Sequence, residues 1–146
     1  MKKILSITLC LILCLCIFAL TGCGRYIQIV KNMDGAAEFA KEFCVTLSDE
    51  DTEKAKQYLC DEYSVPSKDD FERFILKLET YNEIDFSKGI TILSCTKNGW
   101  STVSSKYTYE IICDVLVGEK EIALFFEVSH SENGYEIFSF GVNPKK

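Results

Sequence analysis

The sequence predicts an α+β domain in which three N-terminal helices pack on a curved, four-stranded antiparallel sheet. Two observations carry this expectation. Apolar residues recur at helical spacing between residues 34 and 81, then switch to alternation between residues 90 and 142. Short turn motifs separate the alternating runs, which implies hairpins and an antiparallel meander. Helices first and strands second place the helices over one face of the sheet.

The first helix is expected over residues 34–47, where Ala36, Ala40, Phe43, Cys44 and Leu47 share a face opposite Glu38, Lys41 and Glu42. Ser48-Asp49-Glu50-Asp51 reads as a turn and cap, because short acidic side chains accept the free amides that open the next helix. It lacks the Gly and the distant Glu of a calcium loop. The second helix, residues 52–62, places Ala55, Tyr58 and Leu59 together, and Pro66-Ser67-Lys68-Asp69-Asp70 stops the chain and caps a third. That helix runs to about residue 81 on a stripe of Phe71, Phe74, Ile75 and Leu78.

A short strand is expected over residues 90–97, with a turn at Asn98-Gly99 that leaves Trp100 in a loop. In the long run that follows, Tyr107, Tyr109, Ile111, Cys113, Val115 and Val117 alternate with polar residues. Gly118-Glu119 turns the chain, and Ile122, Leu124, Phe126 and Val128 form the next inward face. Ser131-Glu132-Asn133-Gly134 turns it again into a last strand, residues 135–142.

The first 22 residues differ in kind. Met1-Lys2-Lys3 is basic, and residues 4–20 are apolar apart from Ser6 and Thr8. This fits the core of a signal peptide and is short for a membrane span of about 20 residues. The run ends in Leu20-Thr21-Gly22-Cys23, which resembles the lipobox of bacterial lipoproteins. The resemblance implies cleavage between Gly22 and Cys23 and a diacylglyceryl thioether on Cys23. At about 0.8 kcal/mol per buried CH₂, two acyl chains hold a protein stably where one does not. The expected organisation is a signal peptide over 1–22, a lipidated cysteine and short tether over 23–33, and a single domain over 34–146. The expected location is outside the cytoplasm, anchored by lipid to the bacterial cell membrane.

The net charge is −6, and loss of Lys2 and Lys3 with the leader makes the mature chain more acidic still. An acidic domain without a Lys/Arg cluster argues against nucleic acid as a partner. Four cysteines follow the anchor, Cys44, Cys60, Cys95 and Cys113, and outside the cytoplasm they allow three disulfide pairings. The leader uses Cys10, Cys14 and Cys16 as apolar filler, which favours buried free thiols. With no Cys-x-x-Cys, and a single histidine lacking ligands at metal spacing, neither metal nor cofactor is expected.

Ala36-Ala37-Glu38-Phe39, then Phe43, Leu47 and the run Glu53-Lys54-Ala55-Lys56-Gln57-Tyr58-Leu59 resemble the opening helix pair of NTF2-like (cystatin-like) lipoprotein domains. Asn133-Gly134-Tyr135-Glu136-Ile137-Phe138-Ser139-Phe140 resembles their closing hairpin. The resemblance implies a cone with a cavity between sheet and helices. Relatives include ligand binders, enzymes and tethered interaction domains. The isomerase-like members need a carboxylate facing a tyrosine. Here Glu110 and Asp114 fall on the face opposite Tyr107 and Tyr109.

Four residues are candidates for a pocket or interaction site. His130 continues the apolar face of Val128, where an imidazole at a pocket rim is a candidate general base. Trp100 is a large aromatic of the kind that anchors interfaces. Tyr107 and Tyr109 lie on the inward face of the long strand. With no catalytic set in sight, the expected role is binding of a protein or small apolar ligand without catalysis, and a homodimer through the sheet is an open alternative. The rival readings are a cavity-based hydrolase or isomerase and a small-ligand carrier.

Overall fold

A computed structural model describes residues 2–49, 51–61, 64–103 and 106–143, with side chains described for all of these except 2–23, 25, 103 and 143. The elements run α1 (Lys2–Ser48), α2 (Thr52–Gln57), α3 (Phe71–Asn82), β1 (Ile90–Val103), β2 (Lys106–Val117), β3 (Lys120–Ser131) and β4 (Gly134–Asn143). Short 3₁₀ turns precede α3 at Lys68–Asp70 and β1 at Phe86–Lys88. The chain divides into two compact units, Met1–Asn32 and Met33–Lys146.

The α+β architecture is present, but α1 begins at Lys2 rather than near residue 34. No proline interrupts residues 24–33, and the Gln28 amide donates to Asn32 Oδ1 one turn on (3.0 Å), so the expected tether is helical. The second helix stops at Gln57, short of residue 62. Its continuation is used elsewhere: Ile137 N–H donates to Tyr58 O (2.7 Å) and Cys60 N–H to Ile137 O (2.9 Å). A single bridge between Leu59 and Ile137 replaces the last helical turn. Glu50 of the acidic turn and Glu62 lie outside the described residues; Asp51 caps α2 by accepting from Lys54 N–H (3.0 Å).

The four strands form one antiparallel sheet in the order β1-β2-β3-β4. The Asn98-Gly99 turn is not formed. Both residues lie inside β1, where the pairing shifts between Lys97 and Gly99 and the strand continues to Val103 opposite Lys106. A bulge absorbs the dipeptide that would otherwise close a hairpin. Gly118, at φ +60, does sit in a two-residue turn closed by the Val117–Lys120 pair.

Alternation decides the core. Tyr109, Ile111, Cys113, Val115 and Val117 are buried on β2, as are Ile122, Leu124, Phe126 and Val128 on β3. On β4 the alternation breaks. Val128 pairs with Ile137 but Glu127 with Ser139, so Phe138 is an extra residue and both Ile137 and Phe140 turn inward. Phe140 then meets Phe43 (5.0 Å), Phe74 (5.2 Å), Phe71 (6.1 Å) and Phe126 (6.2 Å between ring centroids). Each such aromatic pair adds about 0.5–1.5 kcal/mol beyond the area it buries.

Cys95 and Cys113 form a disulfide, which corrects the free-thiol expectation for that pair. They are direct register partners on neighbouring strands, with Cα atoms 4.1 Å apart. Cys44 and Cys60 remain buried free thiols, and burial pushes the Cys44 thiol up to about 12.

Candidate aromatic binding surface

The pleat of β2, β3 and β4 aligns two of the four candidates with a third ring. Tyr107 pairs with His130 and His130 with Tyr135, so one row of the inward face reads Tyr107-His130-Tyr135 across three strands. Directly opposed residues of a sheet stand close enough for ring contact. The His130 and Tyr135 rings lie 4.6 Å apart, and Trp100, diagonal to Tyr107, meets it edge-on at 5.8 Å. Trp100 is therefore a strand residue and not, as expected, a loop residue. It is 46% exposed and Tyr107 37%. Tyr109 is the exception among the four candidates: it is fully buried and belongs to the core.

The helix side completes the surface. Phe39 of α1 packs between Tyr58 (4.9 Å) and Tyr135 (5.9 Å). A Cβ at Gly35 would come within 2.1 Å of the Tyr135 hydroxyl oxygen, so this helical position accepts only glycine while the ring stays in place. Beside it, Lys97 of β1 forms an ion pair with Asp34 and closes the edge of the patch. Burial, with Tyr109 and Asp34 adding to it, raises the Tyr135 hydroxyl above its ordinary value, so it stays protonated and able to donate. The result is a half-exposed aromatic row with hydroxyl, imidazole and indole tips, suited to stacking and hydrogen bonding.

Sequence reading missed Tyr135, Phe39 and Gly35. Tyr135 carried a signal: it follows a glycine turn, two residues from the inward-facing Ile137. Gly35 and Phe39 matter only through what the fold brings against them.

The cavity implied between sheet and helices is occupied by Phe43, Phe71, Phe126 and Phe140. A separate pocket of about 240 Å³ opens where α1, α2 and α3 meet, lined by Thr46, Leu47, Asp51, Phe71, Glu79 and Asp85 among others. Its carboxylates serve the backbone: Asp51 accepts from Lys54 N–H, Glu79 from Phe86 N–H (2.9 Å) and Asp85 from Ser87 N–H (3.1 Å). Among the described residues, no group of three or more His, Cys, Asp or Glu is placed to hold a metal ion. Gly22 and Cys23 lie in α1, and the Cys23 side chain is outside the described set.

No family model matches the chain, and no curated protein matches it significantly. Solved structures do. An NTF2-like protein with a cystatin-like fold from Novosphingobium aromaticivorans superposes with a TM-score of 0.52 at 10% identity, covering 84% of this chain and 88% of that one. The fold is NTF2-like. A cystatin-like domain of unknown function from Nostoc punctiforme gives a TM-score of 0.46 at 10% identity over 75% of each chain. An NTF2-like potential transfer protein, TraM, from a Gram-positive conjugative plasmid gives 0.36 at 18% identity, over 77% of this chain and 96% of that one. At these identities the NTF2-like likeness speaks to fold alone.

Proposed function

We propose that this chain is an extracytoplasmic lipoprotein, anchored through lipid on Cys23, whose NTF2-like domain binds a protein partner without catalysis. One observation carries the binding half: the interior is filled by its own phenylalanines, while the aromatic row Trp100, Tyr107, His130 and Tyr135 is open at the surface. Amphipathic aromatics of this kind anchor interfaces at low entropic cost. The anchor half rests on the leader and Leu20-Thr21-Gly22-Cys23. The Cys95–Cys113 disulfide supports it, since such bonds persist in oxidising compartments outside the cytoplasm.

The test uses the full-length chain in a lipoprotein-processing bacterium. Labelled palmitate should enter the wild type and not Cys23→Ala; equal labelling of both removes the anchor. A photoreactive phenylalanine analogue at Tyr107 should give one discrete protein adduct, lost in Trp100→Ala and absent with the analogue at the exposed Tyr81. A small-molecule adduct alone would favour the ligand-carrier reading, and no adduct would sink the binding surface.

A further inference from the structure

The helices pack on one face of the sheet, through Phe43, Phe71 and Phe74 against Phe126 and Phe140. The opposite face has an organisation of its own. Register sets Thr96, Ile112, Phe125 and Gly141 in one row across all four strands. A Cβ at Gly141 would meet nothing within 4 Å, so the space over Gly141, the register partner of Phe125, is open. On one side of this apolar row stand Glu110 and Glu127, direct register partners; on the other stands Asp114, with Leu116 and Glu121 beyond it. The next row out holds Glu136, paired with Lys106 (3.4 Å). Among the described residues this face therefore carries five carboxylates and one ammonium.

Two carboxylates directly opposed on neighbouring strands destabilise a sheet. Glu110 and Glu127 are nevertheless set against each other, and both are half-buried. A second copy of this chain on the same face would set carboxylates against carboxylates. A cationic occupant relieves the repulsion, and electrostatic complementarity of this kind selects partners. We infer that the outer sheet face is a docking surface for a Lys/Arg-rich segment of a partner protein. Its apolar side chains pack on Phe125 over the open position at Gly141, and its cations lie along Glu110, Glu127 and Asp114. This surface lies on the face of the sheet opposite the aromatic row and does not depend on it.

The probe is a fluorescent peptide of alternating Lys and Val, titrated onto the full-length chain in phosphatidylcholine nanodiscs with empty discs as the blank. Saturable binding should weaken at least tenfold between 50 and 300 mM salt, a range over which screening grows steeply, roughly as the Debye length shrinks below about 10 Å. A Glu110→Gln/Glu127→Gln variant should lose at least tenfold in affinity while its thermal midpoint holds or rises, because the repulsion is gone. A merely structural role for the two carboxylates predicts the reverse, a lower midpoint. If the double variant does not fold, Glu127→Gln carries the same expectation at about threefold. Phe125→Ser should weaken binding too. Equal binding of a Glu/Val peptide, or affinity unchanged in the carboxylate variants, overturns the inference. So does a wild-type dimer that dissociates in Phe125→Ser and persists in the carboxylate variants, which would give the face to a second copy.

Discussion

The two edges of the sheet are finished by different means. Along β4, the segment after α2 supplies backbone pairing: Leu59 bridges Ile137 and Val65 bridges Ser139, both in parallel. Val65 N–H donates to Phe138 O (2.8 Å) and Phe140 N–H to Val65 O (3.2 Å), so this edge is closed by hydrogen bonds and burial. Its cysteine, Cys60, is a free buried thiol. Along β1 the outer edge is open, with Thr96, Asn98, Ser101 and Thr102 exposed. Two register shifts, after Ile92 and after Lys97, break the strand's regularity, and a disulfide fastens it to β2. Bulges and a lysine are common protections for an open edge. The covered edge is thus held by cooperative burial, and the open one by a covalent bond that needs no cover.

The largest effect that separates the two edges should come from Leu59→Ala. Leu59 is 2% exposed, so truncation leaves a cavity and is expected to cost about 2–5 kcal/mol in chemical denaturation. A cost near zero would mean that the segment after α2 merely lies against β4 without holding it.

Opening the disulfide tests the other edge. Its cysteines are 18 residues apart, and in the chain-entropy model a loop of about that length is worth about 3 kcal/mol. Reduction of the wild type should therefore lower stability by about that much and accelerate amide exchange in β1 while leaving β4 protected. Uniform acceleration across the sheet would erase the distinction.

Cys44, on the helix-covered side, responds to pH. Its folded value of about 12 lies above the ordinary 9.0, so its contribution is fully present below pH 9 and is lost as pH rises toward 12. The denaturation midpoint of the wild type should fall more steeply from pH 8 to pH 11 than that of Cys44→Ala. Parallel curves would show that the thiol is not held in the buried, protonated form. The smallest effect is expected on the open edge, where Leu93 is 51% exposed: Leu93→Ala should shift stability by no more than about 0.5 kcal/mol.

Much of this was legible in the residues themselves. The change of period near residue 82 announced helices before strands, and alternation correctly named Ile122, Leu124, Phe126 and Val128 as inward. Trp100, Tyr107 and His130 were singled out, and they do gather at one end of the sheet. The place of Trp100 was not legible, because it joins the surface only if Asn98-Gly99 is drawn into β1, whereas the two-residue turn between Ser131 and Gly134 sets Tyr135 opposite His130 directly. The choice of Cys95 with Cys113, and the bulge at Phe138 that turns Phe140 into the core, depend on the same long-range register.

The sequence by itself determined the order of elements and the face that most strand residues take. Those are local properties, written in spacing along the chain. Tertiary structure alone decided which strand residues stand opposite one another, which thiols meet and which aromatics remain at the surface. Register is settled by the sum of contacts between segments far apart in the chain, and a slip of one residue would exchange the two faces of a strand.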